Sequence, residues 1–233
     1  MWGCYSADMK KLIGLLVLLV VLLVALYLIF SFWHVRPLSL SAPAQGVEIT
    51  TGQMHDEGDS YTIDAQYPQF GIPTIDAEIQ KAVEDASTEV KGYPANPSDS
   101  ATPKNSLDVT FDKVYVGPDI VSLELILSEY SGGAHPMTIF TGMNFDRATG
   151  KQLQLDDALA LTGLSVEQVS AQATAQLSAK LGDGFQFPEG ANTNPENFSS
   201  FVVSSDKVTF IFQQYQVAAY SAGPQEVSFD RKK

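Results

Sequence analysis

A long apolar run near the N-terminus constrains this chain most, because it separates a membrane segment from the part that folds in water. Residues 12–33 are apolar apart from Gly14, Tyr27 and Ser31. As a helix this run would measure roughly 33 Å at about 1.5 Å per residue, which is enough to cross a bilayer core. The sequence therefore predicts one transmembrane helix at residues 12–33, preceded by a short N-terminal segment, residues 1–11.

A cleaved signal peptide is the alternative interpretation of the same run, since Ala42 and Ala44 flank Pro43 in the pattern of a cleavage site. That site lies far beyond the apolar run, which is also longer than the usual core of a signal peptide, so an uncleaved signal anchor is favoured. Lys10 and Lys11 before the run give a slight bias toward a cytoplasmic N-terminus. We therefore expect a single-pass protein of the cell membrane whose C-terminal part is extracytoplasmic.

Composition divides the rest of the chain into two regions. Residues 34–59 are rich in Ser, Pro, Ala, Gly and acidic residues and show little periodicity, which predicts a tether. Residues 60–233 are long enough to form a domain with its own hydrophobic core. Cys4 is the only cysteine, so this domain must fold without an intramolecular disulfide.

The pattern of apolar residues in the domain predicts its fold class. Helical spacing predicts helices at residues 76–90 and 165–181, the second beginning with a capping box of Ser165 and Gln168. The other apolar runs alternate as strands do and are joined by hairpin-like turns, with no βαβ alternation. The sequence therefore predicts an α+β domain in which an antiparallel sheet carries two principal helices.

The charge of the chain restricts its partners. The sequence has 27 acidic and 14 basic residues, a net charge of −13. From residue 45 onward the balance is 11 basic against 26 acidic residues, and 11 − 26 gives −15. Such a surface repels nucleic acid and attracts cationic partners, although the same charge also serves solubility alone. We therefore expect no nucleic-acid partner.

A glycine-rich stretch between two strand patterns is the first candidate binding site. Its two glycines predict unusual backbone dihedrals, and its tyrosine and histidine can both donate and accept hydrogen bonds. The alternative is a tight connection in which backbone carbonyls hold the histidine. The candidate ligand-binding residues of this stretch are Tyr130, Ser131, Gly132, Gly133 and His135.

A second candidate lies near the C-terminus, where Tyr215 and Tyr220 flank a short polar and apolar run before a glycine–proline turn. Tyrosines in a recognition surface supply a large contact area at low cost in conformational entropy. Tyrosines at strand ends also fill hydrophobic cores with the hydroxyl pointing outward, and the sequence leaves both interpretations open.

Residues that would carry hydrolytic or metal chemistry are scarce. The histidines are His34, His55 and His135, and the first two precede the domain. The chain contains no nucleophile elbow, phosphate-binding loop or H-E-x-x-H motif. We therefore predict no catalytic residues, no metal site and no cofactor, and interpret the domain as a binding protein rather than an enzyme.

Three motifs carry a resemblance to a known family. They are Tyr-Ser-Gly-Gly-Ala-His-Pro from Tyr130, Asn-Phe-Asp-Arg-Ala-Thr-Gly-Lys from Asn144, and the run from Phe210 to Gly223. In this order they resemble the extracytoplasmic domain family of the lysozyme-sensing anti-sigma factor RsiV, which also occurs in an anchored peptidoglycan deacetylase. The resemblance covers about residues 61–229 and implies recognition of lysozyme or another cell-envelope ligand, with cell-wall glycan as the alternative partner.

The chain also differs from the relatives that this resemblance implies. About ten residues precede the predicted membrane helix, which is too few for a sigma-factor-binding domain. No separate catalytic domain accompanies the binding domain, as it does in the deacetylase. We therefore expect no sigma-factor control, and the alternative to lysozyme recognition is an accessory glycan-binding or structural role in the envelope. A cell-wall hydrolase or deacetylase is the least favoured interpretation.

Overall fold

The computed structural model describes residues 47–97 and 102–232, which form two β-sheets and three α-helices. The helices are Pro73–Lys91 (α1), Leu155–Thr162 (α2) and Val166–Leu181 (α3). The strands are Thr50–Glu57 (β1), Tyr61–Gln69 (β2), Asn105–Val116 (β3), Ile120–Tyr130 (β4), Met137–Asp146 (β5), Phe201–Val203 (β6), Lys207–Phe212 (β7) and Gln225–Asp230 (β8). Strands β1 to β5 make a five-stranded sheet in sequence order, and β6 to β8 make a three-stranded sheet.

The first sheet contains a βαβ unit that the sequence analysis did not predict. Strands β2 and β3 are parallel, and α1 connects them, whereas the other neighbours in this sheet are antiparallel. A parallel pair requires such a crossover, and the apolar stripe of α1 covers one face of the sheet. The prediction of an antiparallel sheet without a βαβ unit is therefore wrong at this pair, whereas the α+β class is confirmed and the other pairings are antiparallel. The helix residues buried in this core are Ile75, Ile79, Val83 and Val90.

The second sheet has a core built on phenylalanine rings. Phe198 packs edge-on against Phe210 and Phe212 at centroid distances of 5.4 and 5.8 Å. Helix α3 adds Val169, Ala173 and Leu177 to the same core. The capping box predicted for the start of α3 is confirmed, because the side chain of Ser165 accepts from the backbone N–H of Gln168.

Two further expectations need correction. The predicted tether includes Thr50–Glu57, which instead forms the edge strand β1 paired with β2. Two principal helices were expected, but Leu155–Thr162 forms α2, a third helix in which the Asp157 carboxylate accepts from the backbone N–H of Gln154. The predicted membrane helix at residues 12–33 lies outside the described residues. None of the helices in the described ranges combines the length and apolar character that a membrane crossing requires.

A buried polar network joins the two sheets. The side-chain amide of Asn144 on β5 donates to the carbonyl oxygen of Phe201 on β6 at 2.7 Å. Ser122 on β4 donates to the Asn144 side-chain oxygen at 2.7 Å and accepts from the backbone N–H of Val203 at 2.9 Å. Because Ser122 and Asn144 are almost fully buried, these bonds fix how β4 and β5 meet β6.

Candidate functional site

The glycine-rich loop between β4 and β5 needs its glycines. Gly132 and Gly133 have φ angles of +100° and +109°, which residues other than glycine rarely adopt. The hydroxyl of Tyr130 donates to the carbonyl oxygen of Gly133 at 3.2 Å. The Nδ1 atom of His135 lies 2.8 Å from the carbonyl oxygen of Pro136. The expectation that a backbone carbonyl holds the histidine is therefore confirmed for one ring nitrogen, and the exposed ring itself stays available for contact.

A strained turn after β7 presents Tyr215 to solvent. Tyr215 has a φ of +66°, a conformation that is unfavourable for a bulky residue and needs support from its surroundings. The side chain of Gln216 supplies it, because its oxygen accepts from the backbone N–H of Gln213 at 2.8 Å. The same amide group donates to the carbonyl oxygens of Gly190 and Asn197 at 2.9 and 3.0 Å. The ring of Tyr215 is 51% exposed, so this tyrosine belongs to the surface and not to the core.

The structure brings the two candidate segments into contact. The ring of His135 stacks on the half-buried ring of Tyr220, with centroids 4.4 Å apart and an interplanar angle of 28°. Tyr215 lies beside the same tyrosine, with centroids 5.4 Å apart. His135, Tyr215 and Tyr220, predicted separately from two distant motifs, therefore form one continuous aromatic group. The other predicted residues stay in the glycine-rich loop outside this group: Tyr130, Ser131, Gly132 and Gly133.

Two apolar side chains next to this group were missed from the sequence. Met137 and Ile139 on β5 are 49% and 44% exposed, and with Tyr215 they are the exposed large hydrophobic residues of the described part of the chain. The alternating positions of Met137 and Ile139 are compatible with any β-strand. Nothing in the sequence indicates that strand β5 lies at the edge of its sheet. We call the set His135, Met137, Ile139, Tyr215 and Tyr220 the aromatic patch.

Gln213 connects the two parts of the aromatic patch. Its side-chain oxygen accepts from the backbone N–H of Phe140 at 2.9 Å, and its side-chain nitrogen donates to the Phe140 carbonyl oxygen at 2.7 Å. Gln213 thereby attaches the turn that carries Tyr215 to the strand that carries Met137 and Ile139. No pattern in the sequence points to this glutamine, because its partner is the backbone of a strand far away in the chain.

The charges around the aromatic patch are acidic. Residues 125–145 and 208–225, which supply all of its members, contain one carboxylate, Glu129, and no lysine or arginine. The loop that receives the hydrogen bonds from Gln216 adds Glu189 and Glu196. A cationic partner would therefore meet an apolar surface surrounded by negative charge.

Two other polar clusters lie away from the aromatic patch. Lys113 Nζ lies 3.1 Å from the almost fully buried Glu124 and 2.7 Å from Glu226. Burial raises the pKa of Glu124, and the neighbouring Lys113 partly offsets that effect. On the exposed side of β1 and β2, the hydrogen bond that the His55 imidazole donates to the Asp64 carboxylate raises the pKa of His55. In the described ranges no group of three His, Cys, Asp or Glu residues is arranged to hold a metal ion, and the absence of a metal remains a prediction.

The chain matches two family models, one for each half of the domain. Residues 54–138 match the family described as Deacetylase PdaC. Residues 154–232 match the family described as Protein of unknown function (DUF3298). The aromatic patch takes His135 and Met137 from the residues that match the first model and both tyrosines from the residues that match the second.

Individual relatives agree with the family matches. The chain is 26% identical over 192 residues to the peptidoglycan-N-acetylmuramic acid deacetylase PdaC of Bacillus subtilis, covering 79% of this chain and 40% of the deacetylase. It thus spans well under half of that relative's length. It is 22% identical over 215 residues to Esterase Rv3036c of Mycobacterium tuberculosis, covering 88% and 89% of the two chains.

One solved structure supports the fold. A DUF3298 family protein from Pseudomonas aeruginosa PAO1 superimposes with a TM-score of 0.53 at 20% identity, covering 84% of this chain and 95% of that one. At this identity the likeness concerns the fold alone. The family matches bear out the deacetylase side of the predicted resemblance, while lysozyme recognition enters only as a proposal.

Proposed function

We propose that this domain is a binding module of the bacterial cell envelope and that its aromatic patch recognises a cationic protein, with lysozyme as the specific candidate. The observation that carries this proposal is the stack of His135 on Tyr220 beside the exposed Tyr215, which forms one surface from two distant segments. The proposal also places the domain outside the cytoplasm, held at the membrane by residues 12–33.

The exposure of large apolar side chains supports binding. Met137, Ile139 and Tyr215 are exposed, and Gln213 joins the strand that carries the first two to the turn that carries the third. Soluble surfaces usually scatter exposed large apolar residues singly. The hydrogen bonds of Gln213 and Gln216 hold these anchors in place before any ligand arrives. Pre-organised aromatic anchors lose little conformational entropy on binding and are typical of the residues that dominate interfaces.

The acidic charge supports a cationic ligand. The net charge of −13 attracts a positively charged protein over distances comparable to the Debye length, about 8 Å at physiological ionic strength. This attraction raises the association rate more than the final affinity. The uncharged centre of the aromatic patch then supplies contacts that salt does not screen.

We propose binding rather than catalysis because the histidine contacts suit no hydrolytic mechanism. Within the described residues, His55 bonds Asp64 and His135 bonds the Pro136 carbonyl, and neither imidazole bonds a serine or threonine hydroxyl. The names deacetylase and esterase state activities of those relatives and assign no activity to this chain. Cell-wall glycan is the alternative ligand, since exposed tyrosine rings also pack against the apolar faces of sugars.

Calorimetric titration of a cationic lysozyme into the detergent-solubilised full chain tests the proposal at physiological salt and at three times that concentration. We expect binding that persists at the higher salt and that Tyr215→Ala or Tyr220→Ala weakens by more than about fivefold, the equivalent of about 1 kcal/mol. Tyr115→Ala, at the hairpin end of the same sheet, is the matched control and should bind normally.

The acidic residues should affect rate rather than affinity. Glu189→Gln and Glu196→Gln should mainly slow association, which stopped-flow measurements resolve. A lack of binding to lysozyme at physiological salt would exclude lysozyme as the ligand. Retention of the same chain on purified peptidoglycan, lost in Tyr215→Ala, would then favour the glycan alternative.

A further inference from the structure

Strand β5 is an edge strand, and its backbone groups point outward at every second residue. It is the last strand in the order β1 to β5, so only β4 pairs with it along its length. Phe140 directs both its N–H and its carbonyl oxygen away from β4, toward Gln213. The outward carbonyl of Asn144 and the outward N–H of Asp146 bond the backbone of Leu153 and Lys151. Even-numbered residues of β5 therefore carry the outward groups.

Other parts of the chain already occupy most of these outward groups. Gln213 pairs with Phe140, and the hydroxyl of Ser200 accepts from the backbone N–H of Gly142 at 3.0 Å. Thr138 has the same outward parity, because the pairing of β4 with β5 shows no register shift. Within the described residues, neither the backbone N–H nor the carbonyl oxygen of Thr138 has a partner on the outward side. Thr138 thus leaves one free backbone pair between the exposed side chains of Met137 and Ile139.

We propose that an extended, positively charged polypeptide segment of the ligand adds to the edge of β5 by pairing with Thr138. This inference rests on the proposed function, since it names the ligand class for the same aromatic patch. Strand addition is an established mode of peptide recognition in which backbone bonds give register and flanking side chains give specificity. Here Met137 and Ile139 flank the free pair, and the tyrosines lie beyond Gln213.

The geometry at Phe140 favours polypeptide over an N-acetylated sugar. In a strand, the N–H and carbonyl oxygen of one residue project to the same side, so a complement must present an acceptor and a donor together. The primary amide of Gln213 does this at Phe140, and a residue of an extended peptide does the same. An N-acetyl group is a trans secondary amide whose N–H and carbonyl point in opposite directions, so it satisfies one group at most.

The added segment pairs over a short length. Pro136 has no N–H, and its carbonyl oxygen already faces His135 Nδ1, while Gln213 occupies Phe140 on the other side. The segment therefore gains two backbone bonds at Thr138 and continues over the aromatic patch through its side chains. Glu129 is the only Asp, Glu, Lys or Arg in residues 125–145 and 208–225, which supply the aromatic patch. Basic residues on the added segment would therefore meet a negative charge and no positive one in these residues.

Amide hydrogen exchange measured by NMR on the full chain in detergent micelles tests the inference. The probes are a cationic lysozyme and a ten-residue peptide of alternating lysine and valine. The Thr138 amide should exchange freely in the unbound protein and at least tenfold more slowly with the peptide bound. Thr138→Pro removes the outward N–H and spares the bonds to β4, so it should weaken binding more than fivefold, while Thr138→Ala should bind normally.

The outcomes separate this inference from the proposed function. If the peptide protects Thr138 and lysozyme does not bind, strand addition stands and lysozyme is excluded. If lysozyme binds through Tyr215 while the Thr138 amide stays unprotected, the proposed function stands and strand addition is wrong. If neither probe slows exchange at Thr138, the inference is overturned, whether or not Thr138→Pro folds.

Discussion

Gly142 on β5 allows the two sheets to approach more closely than any other residue there would permit. A Cβ atom added to Gly142 would lie 1.7 Å from the carbonyl oxygen of Phe201 and 2.5 Å from its carbonyl carbon. These atoms belong to the backbone of β6, so they cannot rotate away as the end of a side chain would. Gly142→Ala must therefore push β5 and β6 apart.

The distances give the size of the effect. Contacts under 3.0 Å are essentially never made by real Cβ atoms, so the gap must grow from 1.7 to at least 3.0 Å, a shift of 1.3 Å. The same shift takes the 2.7 Å bond between Asn144 and the Phe201 carbonyl to about 4.0 Å, beyond hydrogen-bond range. The 2.9 Å bond between Ser122 and Val203 is strained as well. Leaving one or two buried groups unsatisfied costs about 1–3 kcal/mol each, so we expect a loss of about 4 kcal/mol.

Thermal melting followed by circular dichroism measures this loss. For a domain of this size about 4 kcal/mol corresponds to a fall in Tm of about 8–16 °C. Gly184→Ala is the matched control, because the nearest atom to its added Cβ is the Leu181 Cβ at 3.8 Å, and it should melt within about 2 °C of the original chain. If Gly142→Ala melts as the control does, β5 and β6 do not pack as described here.

Further predictions concern charge, metal and topology. NMR titration should give a pKa of His55 above 6.5, and Asp64→Asn should lower this pKa. The pair of His55 and Asp64 stabilises the fold below about pH 6.5, and this contribution is lost as the pH rises through the raised pKa. Lys113→Met should lower stability by about 3 kcal/mol at pH 8 in denaturant titrations and by less at pH 5, because the raised pKa of buried Glu124 favours its protonated form; an equal loss at both pH values would contradict this. A chelator should leave the Tm unchanged. Alkaline phosphatase fused after the last residue should be active, and an inactive fusion would reverse the predicted orientation.

Elements with local signals could be predicted from the sequence. The alternation over residues 61–67 predicts β2, and Ser165 with Gln168 predicts the start of α3, because both patterns act between near neighbours. Helix α1 was predicted three residues too short at its start, where Pro73 occupies the first turn.

Elements that depend on distant partners could not be predicted in this way. Strand β1 is polar and exposed along most of its length, and it is ordered by its backbone bonds to β2 rather than by an apolar face. The parallel pairing of β2 with β3 follows from where α1 packs, which no local pattern encodes. The short helix α2 had a usable signal, Gln154 followed by Asp157, but glutamine is not among the favoured N-cap residues.

In the candidate site too, local sequence signals identified some residues, while others depend on distant contacts. His135, Tyr215 and Tyr220 were selected because of their chemistry and the turn residues around them. Their mutual contact depends on how the two halves pack, which the sequence does not show. Gln213 was missed because its side chain bonds the backbone N–H and carbonyl oxygen of Phe140, as a neighbouring strand would, and this contact is visible only in the folded structure.

The composite origin of the aromatic patch has a physical consequence for binding. The patch exists only when the half of the domain that carries strand β5 packs on the half that carries Tyr215 and Tyr220. A ligand that contacts both halves binds the packed state and not the separated one, so it must stabilise their packing by mass action. The buried hydrogen bond of Asn144 and the surface hydrogen bonds of Gln213 both stabilise this packed state. Any change that loosens the junction should therefore reduce binding, even where it leaves every residue of the aromatic patch in place.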